Sequence, residues 1–430
     1  MIERPQYLNK LISKKENGKI KVITGLRRSG KSFLLTDIYI PYLIKNGVKP
    51  ENILHLSLEE LSNAQYRNPF ILAEYIKNNV SNSQKMHYVF LDEIQKVDTV
   101  QNPYLNNVSS KLGFVDVLLE VMKIKNVDLY VTGSNSYMLS SDILTDFRGR
   151  GDEIKVLPLT YKEFFNAYSQ DKRFAWRDFF TYGGLPPVAL LKAHEEKSKY
   201  LKDLFENTYI KDVLERHEIR NQSGTLNALL NVLSSSVGSL TNPTNLSNTF
   251  LTNEKLKISP NTITTYIDYF MDAFILNKAQ RYDIKGRKYI GSQVKYYFSD
   301  VGLRNARLNF RQAEENHIIE NIVYNELLAR GFDVDVGIVE YNHKNSEGKY
   351  IKSQLEIDFV ANDGNTRYYI QVALSVGEEE KRLQEINSLK RTGDFFKKIV
   401  VVKDSIIPWN DENGIFYIGI EDFLLNENWK

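Results

Sequence analysis

The sequence predicts an α/β protein: an α/β core with a glycine-rich loop, then a helical lid and a winged helix, then a second α/β region. Three stretches carry that prediction. KIKVIT (19–24) alternates like a short buried strand and runs into GLRRSGKS (25–32), after which SFLLTDIYIPYLIK places apolar residues at helical spacing. HYVFLDEIQKV (87–97) is an apolar strand run that ends in two adjacent carboxylates. Far downstream, QLEIDFVANDG (354–364) and RYYIQVALSV (367–376) again read as strands.

Composition narrows the function classes. The 430 residues are 42% hydrophobic, ample for a sizeable core, and length alone suggests two to four domains. Net charge is +2, from 56 basic and 54 acidic residues, so no global field calls for nucleic acid or an anionic membrane. With 0 cysteines the chain has no disulfide, thiolate metal site or cysteine nucleophile. The six histidines show no zinc spacing. The opening MIERPQYLNKLISKK lacks the apolar core of a signal peptide. No apolar run approaches the roughly 20 residues that span a bilayer. A cytoplasmic protein without membrane contact is expected.

GLRRSGKS fits G-x-x-x-x-G-K-[ST] through Gly25, Gly30, Lys31 and Ser32. Strand, glycine-rich loop and helix is the order the chemistry needs. Glycines let backbone N–H groups curl around phosphate oxygens, and the helix N-terminus adds partial positive charge. The nucleotide contacts expected are Gly25, Arg28, Ser29, Gly30, Lys31, Ser32 and Phe33. Lys31 would reach the β- and γ-phosphates of ATP, and the Ser32 hydroxyl would ligate Mg2+. Arg27 and Arg28 are extra to that role, either solvated or paired with an acidic neighbour.

The carboxylates at the end of the 87–92 strand belong at the active-site edge of an α/β sheet. Asp92 is the expected second Mg2+ ligand, and Glu93 the base that polarises the attacking water. Further strands are expected in ENILHLSL (51–58), DLYVTGSN (128–135) and DEIKVLPL (152–159).

Together with FRGRGDEIKVLPLTYKEFF (147–165) and YGGLPP (182–187), these segments resemble one group: the prokaryotic AAA-type P-loop ATPases, allied to the STAND class, that end in an uncharacterised C-terminal domain. The resemblance implies an additional-strand ATPase core. It makes Ser134 or Asn135 a sensor of the γ-phosphate, Arg150 (with Arg148 nearby) the arginine that meets transition-state charge, and Gly184–Leu185–Pro186 the turn that meets adenine. Whether Arg150 serves its own chain or a neighbouring subunit of a homo-oligomer is left open by the motif.

Beyond the core, residues 176–221 interleave acids and bases around an apolar stripe and read as a helical lid or linker. Residues 225–306 read as a winged helix, with Ser259 as an N-cap and a hairpin turning at Lys285-Gly286. Arg281, Lys285, Arg287, Lys288 and Lys295 make that hairpin basic, so DNA is a candidate partner beside an unknown protein. The C-terminal order of HIIENIVYNELLARGFDV (317–334) and the two later strands resembles the restriction-endonuclease-like fold. There Glu326 or Glu320, Asp358 and Glu356 would match metal ligands, but the final triplet reads Gln371-Val372-Ala373, so nuclease activity is not expected. The domains expected are 1–165 (ATPase core), 166–222 (lid), 223–308 (winged helix) and 309–430 (degenerate nuclease-like). The expected function is Mg2+-dependent ATP hydrolysis by a nucleotide-driven switch. The alternatives are a DNA-binding regulator that uses ATP as a conformational ligand, and an ATP-driven defence nuclease.

Overall fold

The computed structural model describes residues 2–80, 85–104, 111–133, 149–217, 219, 223–255, 257–311, 314–344, 348–375 and 379–430. The chain divides into two compact units, residues 1–158 with 272–274, and residues 159–271 with 275–430.

In the first unit, strands β1 (Ile20–Thr24), β2 (Ile53–Ser57), β3 (His87–Asp92), β4 (Val127–Thr132) and β5 (Gly151–Lys155) form a parallel sheet in the order β2-β3-β4-β1-β5. β4, which follows the carboxylates in sequence, inserts between them and the loop strand. The period-2 alternation sorts the strands' side chains to two faces. Val22, Val89, Leu91, Leu129 and Val131 pack with Leu72 and Ile76 of α3 (Pro69–Asn79) and with Val117 and Leu118 of α4 (Phe114–Val121). Ile23, Phe90, Tyr130 and Ile154 face the other way, onto Tyr7 and Leu11 of α1 (Pro5–Ser13) and onto Leu34, Leu35 and Tyr39. Those last three belong to α2, which opens as Lys31–Phe33, widens into a π-type stretch at Leu34–Tyr39 and ends as Ile40–Lys45. Pro41 lacks the N–H an α ladder needs and crowds the preceding turn, which accounts for the widening. Inside the sheet, Lys21 forms a buried ion pair with Asp128, whose other oxygen accepts from Tyr130 at 2.7 Å.

The second unit opens with α5 (Tyr161–Ala167), where Thr160 and Glu163 make a capping box. Next come α6 (Ala175–Tyr182), α7 (His194–Leu204), α8 (Pro260–Asp272), α9 (Val301–Arg307) and α10 (Glu315–Ala329). Ser259 caps α8 as expected, its Oγ accepting from Thr262 N at 3.1 Å. Strands β6 (Leu276–Asp283), β7 (Lys288–Phe298), β8 (Asp333–Lys344), β9 (Tyr350–Asp363), β10 (Thr366–Ala373), β11 (Lys397–Val402), β12 (Trp409–Asn410) and β13 (Phe416–Gly419) form a mixed sheet in the order β12-β13-β11-β10-β9-β8-β6-β7.

One expectation is corrected here. The β6–β7 hairpin turns at the expected place, with Gly286 N donating to Asp283 Oδ1 at 2.9 Å. It does not stand out as a free wing, because β6 pairs in parallel with β8 from Arg281↔Val336 to Asp283↔Ile338. The boundary expected at residue 308 therefore cuts through one eight-stranded sheet. β8 would otherwise present an unpaired edge, and the hairpin satisfies it.

Candidate functional site

β1 delivers the chain into the loop at Thr24. Gly25 has φ 134°, and a Cβ there would lie 2.1 Å from the carbonyl oxygen of Val156, so no side chain fits. Arg28 (φ 66°) and Gly30 (φ 95°) are left-handed, a backbone conformation of the kind found in anion-binding nests. Two residues without any motif brace the loop from behind: the buried Arg4 donates to Ser29 O at 3.1 Å and Leu157 O at 2.9 Å, and Leu157 N donates to Tyr7 Oη at 3.0 Å.

Lys31 is buried, with Nζ donating to the carbonyls of Gly25 at 3.0 Å and Leu26 at 3.1 Å. Burial lowers its pKa to about 8, against the opposing pull of Glu93 and Asp92. Ser29 Oγ is buried without a hydrogen-bond partner. A cation held by weak carbonyl acceptors, together with an orphaned hydroxyl, suits a polyanionic ligand. Arg27 pairs with Glu59 at 3.6 Å, whereas Arg28 is exposed and Phe33 half-buried.

The carboxylates end β3 beside this loop. Ser32 Oγ donates to Asp92 Oδ1 at 3.0 Å. Both are hard oxygen donors of the kind Mg2+ takes. Thr132, at the end of β4, donates its hydroxyl to the same Asp92 oxygen and accepts from Glu93 N at 3.0 Å. That hydroxyl fixes the Asp92 carboxylate and the start of the next residue together. Glu93 is left-handed at φ 55°, an uncommon conformation for a non-glycine residue, and its carboxylate accepts from the Gln95 amide.

A family profile described as an AAA domain matches residues 17–165, and two profiles, each described as a domain of unknown function, match 173–314 and 315–423. An uncharacterized protein of Haemophilus influenzae is 33% identical over 431 residues, covering 99% of each chain. The chain belongs to this family of AAA P-loop ATPases. A second relative, an uncharacterized protein of Methanocaldococcus jannaschii, is 29% identical over 94% of this chain and 85% of its own. Among solved structures, the Walker-type ATPase of Pyrococcus abyssi matches with TM-score 0.50 at 13% identity, over 72% of this chain and 96% of that one, a likeness of fold. An AAA-type domain is a module for ATP binding and hydrolysis.

Against that assignment, the remaining expected site residues fall out unevenly. Ser134, Asn135 and Arg148 lie outside the described residues. Arg150 is exposed and precedes β5, whose Gly151 pairs with Ile20 and whose Lys155 pairs with Thr24. At about 3.3 Å per residue, that places it roughly 16 Å from the loop end of β1. The parallel register thus puts Arg150 at the end of the sheet opposite the loop. Gly184 and Pro186 lie in the second unit of the ATPase. Gly184 N donates to Asp300 Oδ2 at 2.7 Å and its carbonyl accepts from Leu159 N at 2.7 Å, while Pro186 opens a short helix, Pro186–Leu190.

Two further readings change. Arg281 and Lys295 cannot serve a DNA-facing hairpin, because both are buried, whereas Lys285, Arg287 and Lys288 are exposed. Arg281 donates to Gln354 at 2.8 Å and Lys295 is ringed by carboxylates. Among the acids at the nuclease-like positions, Glu326 pairs instead with Arg330 at 2.7 Å, and Glu320 is the one beside Asp358's neighbour Lys295. The residues sequence reasoning missed are Thr132, Gln95, Arg4 and Tyr7. Only Thr132 left a signal, as the polar end of an apolar strand. Among the described residues, no helix is long and apolar enough to cross a membrane.

Proposed function

We propose that the chain hydrolyses ATP in a Mg2+-dependent step and works as a nucleotide-driven switch. Lys31 serves the β- and γ-phosphates, Ser32 and Asp92 hold Mg2+, and Glu93 takes the proton of the attacking water. Mg2+ bound there would offset charge on the phosphate oxygens. The observation that carries the proposal is the Thr132 hydroxyl, which binds the Asp92 carboxylate and the Glu93 backbone at once. It holds the metal acid and the base in one register at the mouth of the loop. To act on water, the Glu93 carboxylate leaves the Gln95 amide, so the engaged and released positions of Glu93 distinguish two states of the cycle.

Arg150, remote from its own loop, acts in this proposal on the nucleotide of a neighbouring copy. Arg150→Ala should slow turnover on the order of 10²-fold while ATP affinity changes little, as for a group that meets charge only in the transition state. Wild-type activity per molecule should rise with protein concentration, and a mixture of Arg150→Ala and Lys31→Ala proteins should regain turnover that neither has alone. Steady-state phosphate release checks all three. Turnover independent of concentration, with no rescue in the mixture, would remove the intersubunit arginine.

A further inference from the structure

The second unit buries a four-residue ionic cluster that the ATPase proposal does not use. Lys295, on β7, is 3% exposed. Its ammonium lies 2.8 Å from Glu320 Oε1 on α10, 2.7 Å from Glu356 Oε1 and 3.8 Å from Asp358 Oδ1, both on β9. Glu320 and Asp358 are buried and Glu356 is half-buried. Tyr297 donates its hydroxyl to Glu320 at 2.6 Å, and Val372 N donates to Asp358 Oδ2 at 2.8 Å. Gln371, where the resembled nucleases carry an acid, spends its amide oxygen on Asp358 N at 3.3 Å.

The resemblance to nucleases implies a divalent cation among these acids, and the residues present do not fit one. Mg2+ needs oxygen ligands at about 2.1 Å in near-octahedral geometry and keeps several waters. An ammonium already within hydrogen-bonding distance of two of the carboxylates leaves no room for that shell. The ammonium instead meets Glu320 and Glu356 at hydrogen-bonding distance and lies 3.8 Å from Asp358, an ionic contact. Burial opposes its charge, yet Glu320, Asp358 and Glu356 together outweigh burial and leave the Lys295 pKa raised.

We propose that the Lys295 ammonium is the resident cation of this centre, standing in the place of a divalent metal so that the domain folds without one. Carboxylates from a helix and a strand would repel one another when buried uncompensated, and the lysine cross-links them to the sheet edge. The ammonium carries half the charge of a divalent metal, but as part of the chain it cannot dissociate. The proposal is independent of the ATPase reading, since every group it invokes lies in the second unit.

The test compares full-length variants by thermal unfolding in EDTA and in millimolar MnCl2, without nucleotide. Lys295→Ala removes the cation and opens space, so Tm in EDTA should fall on the order of 10 °C, as for a buried pair that has lost one partner. Mn2+ should then raise the Tm of Lys295→Ala by roughly 5 °C more than it raises wild type, because it can enter the freed carboxylates. Adding Asp358→Asn should abolish that excess, and Lys295→Met, which fills the space with an apolar chain, should show none. If Lys295→Ala does not fold in EDTA, recovery of folded protein on refolding with Mn2+ supports the proposal, and failure to recover it overturns it. It is also overturned if the Mn2+ excess is absent or survives Asp358→Asn. So too if Asp358→Asn alone removes a Mn2+ response of the wild type, which would place a metal beside the lysine.

Discussion

Glu93→Gln protein is expected to bind Mg2+-ATP with wild-type affinity and to turn it over about 10²–10⁴-fold more slowly. The amide keeps the shape of the carboxylate but cannot accept a proton from water. Binding is preserved because Glu93 contributes its backbone N–H, not its side chain, to the Thr132 hydroxyl that organises Asp92. Gln95 accentuates the distinction: it donates to the Glu93 carboxylate and can equally donate to a glutamine oxygen, so the resting arrangement survives. Quench-flow with labelled ATP, alongside calorimetric affinity, separates the two quantities. Turnover within twofold of wild type would make Glu93 an ordinary strand-end acid and move the base elsewhere.

Lys31→Ala is expected to weaken ATP binding by at least about 10²–10³-fold, the scale for truncating one partner of a buried charge pair. The fold should persist, because among the described residues Lys31 Nζ bonds to the loop carbonyls of Gly25 and Leu26, and circular dichroism should be unchanged. The wild type also carries a pH signature. Burial holds the free Lys31 near a pKa of about 8. Phosphate charge beside it favours the ammonium and raises that value. Binding should thus take up a proton from about pH 8 upward, where the free site is losing its charge and the bound site keeps it. Below pH 8 both states are charged and the uptake fades. Calorimetry in buffers of different ionisation enthalpy reads this directly. Unchanged affinity in Lys31→Ala would sink the phosphate-loop assignment.

What was legible in the sequence was what contiguous residues determine. Gly25, Gly30, Lys31 and Ser32 sit within one loop, and Asp92 and Glu93 end one strand, so spacing alone announced their chemistry. Thr132 was not legible as a linchpin because its partners lie 40 and 39 positions away. Arg4 reaches Leu157 across 153 positions, and no local pattern encodes that. The hairpin shows the same limit from the other side. Its turn at Lys285-Gly286 follows from local residue types, but its place in the sheet depends on β8, whose pairing partner only the folded chain supplies. Lys295 read as one cation in a basic run. Its meaning changed once α10 and β9 brought three carboxylates to it. Arg150 likewise matched a motif, while the parallel register of β1 and β5 decided which end of the sheet it occupies.

The most direct test of the central claim is phosphate release by the purified wild-type chain, with ATP and Mg2+ against ATP and EDTA, across a range of protein concentrations. The account predicts steady release with Mg2+, none with EDTA, and release about 10²–10⁴-fold slower from Glu93→Gln with Mg2+. Tight ATP binding with no phosphate released at any concentration would contradict it, and would leave ATP as a conformational ligand of a protein that does not hydrolyse it.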